Sequence, residues 1–131
     1  MKNNKVEWLL RIGIWTLFIG HGVFALQGKS SWVGWISDFT GLDTATALNL
    51  LFYIGIHDII IGFLVLLKPL RIILVWAIIW TAWTAVMRSL PFIGDPIWDT
   101  VERILNPLAV SALLVMRGFP ENFKDLKSWF K

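Results

Sequence analysis

Leu48-Asn-Leu-Leu-Phe-Tyr-Ile-Gly-Ile-His-Asp-Ile-Ile-Ile-Gly-Phe-Leu-Val-Leu-Leu67 decides the fold. A helix that crosses a hydrocarbon core of about 30 Å needs about 20 apolar residues, and this stretch supplies them. Three other stretches, 8–26, 70–89 and 97–116, have the same character. The chain is 131 residues long and 56% hydrophobic, which excludes an ordinary soluble domain. The expectation is an all-α integral membrane protein: a single transmembrane domain over 1–131, folded as an up-down-up-down four-helix bundle with short interfacial helices.

The links support that layout. Lys68-Pro69 is a tight turn, so the second and third spans become antiparallel neighbours. The link from Pro91 to Pro96 is also short. Between the first two spans, Trp32, Trp35, Ile36 and Phe39 recur at i, i+3, i+4 and i+7, which predicts a short amphipathic helix over 31–39 in the membrane interface. Thr44 is the expected N-cap of the second span. Pro107 falls inside the fourth and is expected to kink it, freeing the carbonyl of Arg103. Phe119, Phe123, Leu126 and Phe130 recur beside lysines, so 120–130 reads as a second interfacial helix.

Charge orients the chain. With the N-terminus in the cytoplasm, that side carries Lys2, Lys5, Arg11, Lys68, Arg71, Arg117, Lys124, Lys127 and Lys131. Only Lys29, Arg88 and Arg103 fall on the other side. Nine against three predicts N-in and C-in, in the cytoplasmic membrane of a prokaryote. No signal-peptide cleavage pattern follows the polar start. The basic residues flank spans, so the positive charge does not indicate nucleic acid. The absence of cysteine excludes dithiol chemistry and thiolate metal sites within this chain.

Polar residues inside the spans carry the functional clue, because ionisable groups in lipid are costly. At about 1.5 Å per residue, His21 lies roughly 8 Å from the outer end of its span and His57 roughly 13 Å from the outer end of its own. Asp99, Glu102 and Asn106 form one stripe on the fourth span. Thr81, Thr84 and Arg88 form another on the third. These groups can converge in the outer leaflet as a polar cavity, with Arg103 and Trp80 beside it. Asp58 shares a face with Gly55 and Gly62 that suits close helix contact, and pairing with Arg88 or Arg103 is expected. The deep tryptophans Trp76, Trp80 and Trp83 share a face, as packing bulk or as an aromatic wall for a flat ligand. The two histidines allow three readings: axial ligation of one haem, a metal held by His21, His57 and Glu102, or proton handling without metal.

The stretch Arg11-Ile-Gly-Ile-Trp-Thr-Leu-Phe-Ile-Gly-His-Gly22, with Phe24-Ala-Leu-Gln-Gly28 after it, resembles the first helix of DoxX-like membrane proteins. Ile54 to Leu67 resembles their second helix, with its late glycine and leucine run. The resemblance implies a four-helix membrane bundle. It also implies a link to thiosulfate:quinone oxidoreductases or to membrane complexes that handle thiol and oxidative stress. The lack of cysteine argues against a direct sulfur relay and leaves quinone binding or partner anchoring.

The expected function is a small membrane subunit of a redox system, with a lipid bilayer around it and a membrane oxidoreductase or a second copy as partner. Its cavity would bind a quinone or similar small molecule. His21 and His57 would handle protons or a cofactor, Glu102 and Asp58 would be carboxylate partners, and Arg88 would orient an anionic or carbonyl group. The competing expectations are a non-enzymatic protein that binds or transports a small polar solute, and a structural or assembly factor without a ligand.

Overall fold

A computed structural model describes residues 4–119 and 126–131. Those residues are helical, with no strand among them. Three helices are long and apolar enough to cross a membrane: α1 (Asn4–Leu26), α3 (Thr44–Leu67) and α4 (Arg71–Val86), the last extended to Ser89 by a 3₁₀ turn. The amphipathic segment forms α2 (Ser30–Thr40). The fourth apolar stretch is split into α5 (Ile97–Arg103) and α6 (Leu105–Arg117), and neither has the length of a span by itself. The break falls where Pro107 predicts it. Proline offers no N–H to the Arg103 carbonyl, and Ile104 instead bonds the Val101 carbonyl in a tighter turn. Of the expected tail helix, 120–125 lies outside the described residues, and Leu126–Trp129 forms a short helix, α7.

The N-cap of α3 is Asp43, one residue before the expected Thr44. Its carboxylate accepts from the backbone N–H groups of Ala45 and Thr46 and from the Thr46 hydroxyl at 2.6 Å. Asp43 supplies an ionised acceptor against the positive end of the helix, which a threonine in that place lacks. These bonds hold its carboxyl below the usual range, the Thr46 hydroxyl contributing most.

Helix α1 packs lengthwise along α3. Small residues permit this. A Cβ on Gly22 would lie 2.9 Å from the Gly55 carbonyl oxygen, and a Cβ on Gly55 would lie 2.9 Å from the Gly22 oxygen. Gly62 continues the seam against Phe18. The glycine face expected for close contact is therefore used, with the backbones touching. The order of contacts makes the two helices antiparallel. The same holds for α4 and α6, which also pack on each other, and α1 completes the circuit against α6.

One dry core sits between these helices, built from Ile14, Phe18, Ile61, Val65, Leu74, Ala77, Val110, Leu113 and Leu114. A smaller one, of Ala25, Val33, Ala47 and Leu51, pins α2 to α3. Outward, large apolar side chains are bare: Leu9, Tyr53, Leu67, Leu105 and Val115 are each at least 60% exposed. Water would penalise such a surface at roughly 25 cal/mol per Å², whereas lipid tails cover it without cost.

Candidate functional site

Polar side chains collect at two ends. At one, Arg117 meets Glu7 at 2.8 Å, Arg71 donates to the carbonyls of Arg117 and Ser128, and Arg11 donates to the Leu66 carbonyl. At the other, Arg88 is held by two carboxylates, Asp95 at 3.0 Å and Asp99 at 2.6 Å, with the Trp35 ring 4.9 Å away. Thr100 ties α5 to α4 by donating to the Ala85 carbonyl.

A cavity of about 240 Å³ opens beneath α2. Its walls are mainly carbon. Trp32, Trp35, Ile36 and Phe39 come from α2, Leu17 and Phe18 from α1, and Leu50, Leu51 and Ile54 from α3. Trp80, Trp83 and Met87 close the α4 side. The amphipathic pattern of α2 thus turns its apolar stripe toward the cavity, and that stripe forms the cavity's aromatic wall. Phe39 meets Trp83 edge-on at 5.4 Å, which joins the rim across the two helices.

Polar groups enter the cavity from five helices: His21 from α1, Asp58 from α3, Thr81 and Thr84 from α4, Arg103 from α5 and Asn106 from α6. Both threonine hydroxyls donate to carbonyls of their own helix. An Arg103 terminal nitrogen lies 3.2 Å from Nε2 of His21, and His21 Nδ1 lies 2.9 Å from the Leu17 carbonyl oxygen. A guanidinium only donates and a carbonyl only accepts. His21 therefore carries its proton on Nδ1 and offers its Nε2 lone pair to Arg103. Trp32 stacks on the His21 ring at 5.5 Å.

Behind the cavity wall, the Trp76 indole N–H donates to His57 Nε2 at 2.8 Å, and His57 Nδ1 lies 3.0 Å from Asp58 Oδ1. The Trp80 N–H donates to the same Asp58 oxygen at 2.8 Å. By the same reasoning His57 holds its proton on Nδ1. Two indole donors and one imidazole donor thus lock the His57-Asp58 pair between α3 and α4.

Of the expected cavity residues, His21, Asp58, Trp80, Thr84, Arg103 and Asn106 line the space. His57, Arg88, Asp99 and Glu102 do not. His57 stands behind Asp58, Arg88 and Asp99 form their own ion pair, and Glu102 is exposed, so the expected acidic stripe splits across two faces of the kinked segment. Asp58 bonds His57 and Trp80 instead of an arginine. Nor do His21, His57 and Glu102 gather as a metal set: among the described residues no group of three such side chains could hold an ion. Each histidine's Nε2 faces an N–H donor, Trp76 for His57 and Arg103 for His21.

The sequence reading missed the α2 wall and Asp95. The i, i+3, i+4, i+7 stripe signalled the α2 wall, while the turn residue Asp95 gave no such sign. No family model, curated protein or solved structure matches the chain.

Proposed function

We propose that this chain is a DoxX-like, four-span subunit of a membrane redox system that binds a quinone or a related flat, amphipathic molecule beneath α2. α5 and α6 act as one kinked span, which gives an up-down-up-down bundle. The gathering of Arg11, Arg71 and Arg117 at one end supports N-in and C-in orientation in a prokaryotic cytoplasmic membrane, with the cavity in the outer leaflet.

The observation that carries the reading is the cavity itself: carbon walls with several tryptophans, and donors at one end. A quinone ring fits between aromatic faces, and its carbonyls accept hydrogen bonds. Arg103 and Asn106 take the orienting role first expected of Arg88, whose guanidinium is already spent on two carboxylates. The chain has no cysteine for dithiol chemistry, so a partner subunit would carry the electrons. A small polar solute suits these walls less well, because most of its surface would lie against carbon.

The test is quinone titration of the protein in lipid nanodiscs, followed by quenching of tryptophan fluorescence. Saturable quenching by decylubiquinone or 1,4-naphthoquinone, abolished in Thr84→Leu, supports the reading. Quenching that only tracks partition into empty nanodiscs would leave the assembly-factor role in its place.

A further inference from the structure

Arg103 is set apart from the chain's other buried guanidiniums. Arg88 has Asp95 and Asp99, and Arg11 and Arg117 share Glu7. Arg71 is spent on backbone carbonyls. Arg103 lines the cavity with only a neutral imidazole as partner, and no carboxylate of the described residues lies within 4.0 Å of it. Its Nε lacks an acceptor, as do those of Arg11, Arg71 and Arg117, so the missing carboxylate is what distinguishes it. Trp32, another lining residue, stacks on the His21 ring that Arg103 bonds. Asp58 also faces the cavity, but its Oδ1 already accepts from His57 and Trp80.

The cavity lining therefore includes a guanidinium, carrying a full positive charge, that no carboxylate of the described residues meets within 4.0 Å. A guanidinium in a carbon-walled space is costly until an anion meets it, and its fork suits a carboxylate or phenolate. The His21 lone pair turns toward Arg103 and partly offsets that cost, but it brings no negative charge.

We propose that the natural occupant is an amphipathic monoanion, with an ionised carboxylate or phenolate head on an apolar body. Arg103 grips the head, and the tryptophans enclose the body. This rests on the cavity being a ligand site, as proposed above, and puts a charged amphiphile in the place given there to a neutral quinone. A free fatty acid and an aromatic acid share this chemistry.

The experiment compares matched charged and neutral probes on the full chain in nanodiscs of neutral lipid, with empty nanodiscs as blank: 2-naphthoate against 2-naphthamide, and decanoate against decanol. Loss of a charge-assisted bond corresponds to roughly 10- to 100-fold in affinity. The expected result is that at least one acid binds more tightly than its neutral partner by that factor. The preference should collapse in Arg103→Gln and survive in part in Arg103→Lys. Stronger preference in the decanoate pair identifies a lipid-derived acid, and in the naphthoate pair an aromatic one. Either supports the proposal.

Equal binding of acids and neutral partners to the wild type overturns the proposal without any variant having to fold. So does a preference that persists in Arg103→Gln. If 1,4-naphthoquinone still binds in those cases, the cavity remains a ligand site and only the charge assignment falls. If no probe binds, both readings fall.

Discussion

The two halves of the bundle spend the same kinds of residue differently. Around Leu74 and Leu113 the helices meet over fully buried aliphatic side chains, and the α1–α3 seam brings backbone against backbone. Beneath α2 the helices enclose a cavity, although α1 and α3 stay in backbone contact at Gly22 and Gly55 beside it. Tryptophans there line the cavity, and polar groups from five helices reach into it. The packed half buys stability by excluding space, whereas the hollow half retains space at the expense of contact. Protein interiors reach crystal-like density except where a function keeps them open.

Substitutions should break that contrast in order of size. In the packed half, Leu74→Ala should cost about 2–5 kcal/mol, since Leu74 is wholly buried in the dry core. Denaturant unfolding in mild detergent would measure it, and a loss under about 1 kcal/mol would mean this region is not tightly packed. In the hollow half, Thr84→Leu adds carbon to open volume. It should leave stability unchanged or raise it by about 0.5–2 kcal/mol while abolishing ligand quenching. Equal destabilisation by both changes would erase the distinction between the halves.

The smallest effect lies outside both, at the N-cap of α3. Asp43 is depressed in the folded protein, so the bonds of its ionised form contribute stability at pH above the unfolded value of about 4. That contribution is lost as pH falls through the lower folded value. The melting temperature of Asp43→Ala should lie slightly below wild type at pH 7, and the gap should close on acidification to below the folded value. A gap that widened in acid would reverse the sign assigned to this cap.

The sequence made the helices legible and the contacts much less so. Spans α1, α3 and α4 follow from uninterrupted apolar runs, whose length is dictated by the membrane. α2 follows from its stripe, but the stripe does not say whether its face meets a packed neighbour or a hollow. The charged partners were the weakest point. Arg88 selected Asp95, a turn residue placed by the chain reversal after α4. Asp58 bonded the residue beside it, although neighbours in a helix point about 100° apart, because the imidazole reaches back over its own backbone. Such choices depend on side-chain reach and helix rotation, which periodicity does not encode. The kink had a local cause in Pro107 and was readable for that reason. Its rotation of Glu102 away from Asn106 was not.

The reciprocal contact of Gly22 and Gly55 bears on how this protein can change over generations. Each residue's missing Cβ is the space occupied by the other's carbonyl. A side chain at either position forces α1 and α3 apart, and once they have separated, a second at the other position meets an obstacle already moved. The two losses should therefore combine to much less than their sum in a double-mutant cycle. To natural selection the pair is a single locus: the first replacement is opposed steeply, the second hardly at all, so the seam should be kept whole or abandoned whole in any lineage that descends from it.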